Sequence, residues 1–222
     1  MNRVEASHRR QRLWLAVEWI ALFIGVPAAY AAGWLPIHII LLLLVMAAGC
    51  WLVLWRRYKI HLGDLLQTRV PDAERRRIIA IYAVAAPAML GLLWLFEPAA
   101  VFSLVRRHPE VWLLIICAYP LISVLPQELI YRVFLFERYR PMFGRGTGMV
   151  AASAAAFSFG HIVFHNWPAV ALTLVGGWLF ARTYQRTSCL LLVAVEHALY
   201  GCAVFTIGYG QFFYQGTLRL FR

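Results

Sequence analysis

Seven runs of apolar residues, at 13–32, 37–55, 78–96, 111–136, 149–165, 167–181 and 190–207, leave this chain of 222 residues little to fold into except membrane helices. Crossing the hydrocarbon core takes about 20 mainly apolar residues at about 1.5 Å each. Within lipid the backbone must also satisfy its own hydrogen bonds, which selects helices. The run at 167–181 is short, as a tilted or partly re-entrant helix would be, and a distorted eighth piece fits 209–221, where Phe212, Phe213 and Tyr214 suit an interfacial belt. With 62% hydrophobic and only 14% charged residues, no soluble core could hide the apolar surface. The expected class is all-α, a polytopic transmembrane bundle of about seven spans, between six and eight.

A net charge of +11 would suggest a nucleic-acid partner in a soluble chain. Here the 21 basic residues fall almost entirely between the apolar runs, which reads as membrane topology, with the lipid bilayer as the partner and no nucleic acid. Sixteen of them, from Arg3 through Arg56, Arg57 and Arg138 to Arg186, lie in one set of alternate loops; Arg106, Arg107, Arg219 and Arg222 make up the other 4, and Arg132 sits inside a span. Positive flanks are retained in the cytoplasm, so the N-terminus is expected there. The polar loop at 56–77, with Asp64, Asp72 and Glu74 among its bases, reads as a surface helix or elbow. A single integral membrane domain is expected, with N-terminal helices and the basic loop over 1–110 and the helices that carry the chemistry over 111–222.

Cys50, Cys117, Cys189 and Cys202 lie in or beside apolar runs without CxxC spacing and read as small buried hydrophobes. Arg9-Arg10 ahead of an apolar run and Ala29-Tyr30-Ala31 resembles a cleavable leader. Glu18 interrupts the core of such a leader and the run stays apolar through Ala32, so the first segment is expected to remain as a helix.

Ionisable side chains at membrane depth cost about 2.5–3.5 kcal/mol each on insertion scales, so each one raises a functional question. Glu128 and Arg132, in Pro126-Gln127-Glu128-Leu129-Ile130-Tyr131-Arg132, stand four residues apart and share a helix face. The guanidinium offsets desolvation, so the paired glutamate stays ionised where an isolated one would take a proton; a structural ion pair is the plainer alternative. His161, in Phe157-Ser158-Phe159-Gly160-His161, and His197, in Val195-Glu196-His197-Ala198, lie on two further spans. His165 follows His161 by one turn but sits at the span's end, and no HExxH motif accompanies the pair. Successive residues point about 100° apart, so Glu196 and His197 cannot both aim at one centre, and Glu196 is expected to pair with a neighbouring helix or to lie near the cytoplasmic end.

In order and spacing these residues resemble the CAAX-processing and bacteriocin-processing (CPBP, also called Abi) intramembrane endopeptidases, whose pattern is EExxxR, FxxxH, then HxxxN or HxxxD on three helices. The matching positions are Gln127-Glu128 with Arg132, Phe157 with His161, and His197 with Gly201, within roughly 111–207. Two positions depart: Gln127 replaces the first glutamate and cannot take a proton at neutral pH, and Gly201 replaces the amide or carboxylate.

The resemblance implies hydrolysis of a peptide bond in a membrane-associated or C-terminal peptide. It implies Glu128 as the base, His161 sharing the water, His197 as oxyanion or leaving-group partner, Arg132 keeping Glu128 ionised and Gln127 orienting water or carbonyl. No tightly bound cofactor is expected; zinc, if used, would take Glu128, His161 and His197. A prokaryotic inner membrane is the expected location. The competing reading, favoured by Gln127 and Gly201, is a catalytically impaired membrane scaffold or immunity-type binding protein. A small transporter would need duplicated halves, and none is visible.

Overall fold

The computed structural model describes residues 3–66 and 70–213. They form helices α1 (Ser7–Ala31), α2 (Ile39–Tyr58), α3 (Asp72–Phe96), α4 (Pro109–Arg138), α5 (Thr147–Phe164), α6 (Trp167–Thr187) and α7 (Leu190–Ile207), joined by turns and short helices, with no strand among the described residues. All but α6 are long and apolar enough to cross a membrane. The protein is an integral membrane protein of the all-α polytopic class.

Helix ends run further than the apolar runs wherever a polar turn can be added. α3 begins at Asp72 because Asp72 and Glu74 occupy its first turn, where carboxylates meet the positive end of the helix dipole. α6 gains the turn that carries Arg182 and Arg186, and this polar end is what separates it from the other six. The loop after α2 is an elbow, with a short helix Leu62–Leu65 in which His61 and Asp64 cap each other. Of the expected eighth piece, Tyr209–Phe213 is a 3-10 turn, and 214–221, including Tyr214, lies outside the described residues.

Two-residue links fold α5, α6 and α7 into consecutive antiparallel neighbours. His165 takes the left-handed conformation at φ 55°, and the Asn166 side chain caps α6, its Oδ1 accepting from Ala169 N at 2.9 Å. Ser188, at φ 50°, ends α6 before Cys189 starts α7. Between membrane helices there is little hydrophobic drive, so close approach depends on small residues. A side chain at Gly177 would come within 3.2 Å of the Ala154 backbone, which shows how closely α5 and α6 pack.

α5 and α7 form the centre of the bundle: 50% of the apolar window in α7 is buried, against 11% in α3. The outer helices turn Trp14, Leu92, Trp94, Leu114 and Val175 outward, toward lipid. Cys50 and Cys189 are buried and Cys202 partly so, but Cys117 is exposed. The expectation of four buried cysteines is corrected there, because Cys117 lies on the lipid-facing side of α4, where a thiol needs no protein cover.

Glu18 has a structural task. Its two carboxylate oxygens accept from Arg138 Nε and Nη2 at 2.8 and 2.6 Å, and the Tyr139 hydroxyl donates to it at 3.0 Å, which ties α1 to the end of α4. A bidentate carboxylate–guanidinium contact is among the stronger side-chain interactions. Glu18→Gln is expected to lower stability by about 1–2 kcal/mol, allowing for partial exposure, as read from unfolding in mixed micelles.

Candidate active site

The site begins with an irregularity in α4. Pro120 and Pro126 have no backbone N–H to give to the helical ladder. Around them α4 widens into two π-helical turns, Pro120–Val124 and Leu129–Phe134, with one α turn, Leu125–Glu128, between. Such turns recur at functional sites because they re-aim side chains and loosen carbonyls. The Ser153 hydroxyl of α5 donates to the Tyr131 carbonyl at 2.7 Å. Tyr131 in turn lays its hydroxyl against Gly160, where an added Cβ would lie 2.4 Å away. α4 and α5 therefore lock together beside His161.

Glu128 and Arg132 project from this stretch and are wholly buried, at 0% exposure. Glu128 Oε2 lies 3.1 Å from Arg132 Nε as an ion pair. The guanidinium sits over the Phe157 ring at 4.7 Å and over the Phe180 ring at 5.6 Å, so two aromatic faces help stabilise the buried cation. Glu128 Oε1 accepts from His197 Nδ1 at 2.7 Å, linking α4 to α7. Phe180 stacks on the His197 ring at 4.6 Å and Phe157 meets its edge at 5.4 Å. The other imidazole nitrogen, Nε2, is 3.1 Å from the Tyr119 hydroxyl.

Arg132, Glu128, His197 and Tyr119 thus form one polar file across α4 and α7. The Nδ1 contact with a carboxylate assigns the proton to Nδ1. In the neutral ring Nε2 is then free to accept.

His161 is placed differently. Its Nδ1 donates to the Phe157 carbonyl one turn back at 2.7 Å, and its ring rests on Phe157 at 4.7 Å. Phe157 therefore touches both imidazoles and the guanidinium. With His161 Nδ1 on the Phe157 carbonyl and His197 Nδ1 on Glu128, only Nε2 of each ring is left as a donor to a metal, and zinc would need both, with Glu128, around one point. Among the described residues no group of three or more His, Cys, Asp or Glu side chains is arranged to hold a metal ion. As placed, Glu128, His161 and His197 do not form such a group.

Gln127 donates from Nε2 to Ser123 Oγ at 2.7 Å, while its Oε1 has no hydrogen-bond partner in the protein. Glu196 is fully buried and points away from His197 toward α3, with Arg77 Nη2 3.9 Å from its Oε1. Arg77 also donates to Glu74 at 2.7 Å and to the Thr183 hydroxyl, and Arg186 donates to Glu74 at 2.9 Å. Glu196 accordingly belongs to a network that joins α3, α6 and α7, with Arg77 and Arg186 as its bases. His165 ends α5 in its left-handed turn and takes no part in the file.

Three contributors, Tyr119, Phe180 and Ser153, belong to no motif along the sequence. For Tyr119 the one trace is Gly201, one turn past His197, where the chain packs the tyrosine. A Cβ at Gly201 would fall 2.4 Å from Tyr119 Cε1 and 2.5 Å from its hydroxyl.

Over residues 108–203 the chain matches the family model described as type II CAAX prenyl endopeptidase Rce1-like. No curated protein and no solved structure matches it.

Proposed function

Because residues 108–203 match the model of the type II CAAX prenyl endopeptidase Rce1-like family, a protease family, we propose that the chain is an intramembrane endopeptidase. Its substrate would be a membrane-associated or C-terminal peptide, reached in a prokaryotic inner membrane. The observation that carries the reading is the 2.7 Å bond between Glu128 Oε1 and His197 Nδ1, a carboxylate–imidazole pair at membrane depth with the ring's second nitrogen turned away from the carboxylate.

In such a pair the carboxylate orients the ring and stabilises its protonated form, and Nε2 exchanges the proton. Glu128, with one oxygen on His197 and the other beside Arg132, therefore acts through the histidine rather than on water directly. A proton leaves water for Nε2, the hydroxide oxygen bonds to the scissile carbonyl carbon, the C–N bond breaks and Nε2 returns the proton to the leaving amine. Arg132, 3.1 Å from the second Glu128 oxygen, balances the charge of the carboxylate. His161, with its Nδ1 proton on Phe157 O, presents Nε2 as an acceptor that can orient the attacking water. The unpaired Gln127 Oε1 and its amide give that water or the carbonyl a further polar contact.

Hydrolysis of a fluorogenic peptide library in proteoliposomes tests the reading, with wild type, Glu128→Gln and Gln127→Glu compared with and without chelator. Wild-type cleavage that Glu128→Gln removes and chelator leaves unchanged is the expected result. An inactive wild type that gains cleavage in Gln127→Glu would instead identify a family member whose present role is binding, with Gln127 the residue that silenced it.

A further inference from the structure

The environment of His197 raises a difficulty that Tyr119 resolves. His197 is only 5% exposed, and both of its ring nitrogens are engaged, one by Glu128 and the other by the Tyr119 hydroxyl. A proton exchanged at Nε2 therefore passes through the phenol oxygen. Accepting the endopeptidase reading, we propose that Tyr119 is a further catalytic residue, the last member of a Glu128–His197–Tyr119 relay that passes protons between the buried ring and the reacting water and amine.

The step balances without another reactant. As water adds to the carbonyl carbon, its proton passes to the phenol oxygen and the phenol proton passes to His197 Nε2, leaving the phenol neutral and the imidazole protonated beside Glu128. When the C–N bond breaks, the phenol gives its proton to the leaving amine and takes back the one on Nε2.

Position 201 makes room for this arrangement. It lies one turn after His197 on the same face of α7. A side chain there would occupy the space of the Tyr119 ring, with contacts of 2.4 Å to Cε1, 2.5 Å to the hydroxyl and 2.7 Å to Cζ. The phenol thus fills the place that an amide or carboxylate takes in the pattern HxxxN or HxxxD. The ring is held independently of its hydroxyl, by an edge contact with Phe205 at 5.5 Å. The two helices are also tied nearer their far ends by Trp112 Nε1 donating to Thr206 Oγ1 at 3.0 Å.

Three changes test the relay in proteoliposomes, using a peptide that wild type cleaves. Tyr119→Phe retains the ring contacts and removes only the hydroxyl, and is expected to lower kcat by about 10²–10³-fold with little change in KM. Replacing Tyr119 with 3,5-difluorotyrosine, which keeps the hydroxyl and changes its acidity, is expected to displace the pH profile of kcat. Gly201→Ala is expected to act like Tyr119→Phe by pushing the ring aside, and Tyr119→Ala combined with Gly201→Asn to recover part of the loss.

Unchanged kcat in Tyr119→Phe, or an unmoved pH profile with the fluorinated residue, would overturn the relay while leaving the endopeptidase reading intact. The His197 ring ¹⁵N resonances separate the two ideas further. If wild type cleaves no peptide but Nε2 shifts in Tyr119→Phe, the hydrolytic reading falls and the three-residue file stands; if Nε2 does not shift, both fall.

Discussion

Glu128→Gln is expected to reduce kcat for peptide hydrolysis by about 10⁴-fold, the scale seen when the orienting carboxylate of a carboxylate–histidine pair becomes an amide. The amide retains the shape of the side chain but not its charge. It can hold His197 as well through its N–H as through its oxygen, so the Nδ1-protonated tautomer is no longer selected. The same change leaves Arg132 without the carboxylate at 3.1 Å, so the variant should also unfold at a lower temperature than wild type. Folded protein is therefore to be isolated by size exclusion in detergent before rates are compared. Retention of more than a tenth of wild-type kcat in that fraction would exclude Glu128 from the proton pathway.

Arg132→Met is expected to cost about 3–5 kcal/mol of stability, the largest structural effect at the site. The guanidinium is fully buried between two aromatic rings and the Glu128 carboxylate, and removing it strands a buried carboxylate whose other partner is His197. Methionine fills much of the volume, which isolates the electrostatic loss from a packing loss. Buried ion pairs replaced as a whole by apolar or neutral groups lose far less than pairs broken on one side. Glu128→Gln combined with Arg132→Met should accordingly be more stable than Arg132→Met alone, with a coupling of about 1–3 kcal/mol in a double-mutant cycle read by unfolding in mixed micelles. Simple additivity would mean that the 3.1 Å contact contributes nothing.

The two effects separate the roles of neighbouring residues. Glu128 serves both proton handling and charge balance, so its loss should appear in kcat first. Arg132 has no contact with the Tyr119 end of the file, so its loss should appear in stability first and in kcat only through Glu128.

Glu18 shows where reading along the chain reaches its limit. As a carboxylate inside the first apolar run it was legible only as an interruption of a leader-like segment. Its partners, Arg138 and Tyr139, are about 120 residues away and belong to another helix. Glu196 is the converse case: the 100° step between successive helical residues already separates it from His197, and the structure supplies the identity of the neighbour, Arg77.

What the sequence determined by itself follows from periodicity and transfer energy, which are local. The apolar runs required helices, the ionisable residues within them marked α4, α5 and α7, and the spacing of Glu128 and Arg132 put them on one face. Which of those polar groups meet was decided by tertiary structure, because hydrogen-bond geometry depends on helix rotation and depth to within an ångström. Two π-helical turns around Pro120 and Pro126 set the rotation of α4, and close α5–α6 packing at Ala154 and Gly177 set the position of Phe157. That packing joins Glu128 to His197 and keeps His161 on its own helix. It also brings Tyr119, an ordinary tyrosine in an apolar run, against His197 Nε2, because Gly201 offers no side chain to keep it out.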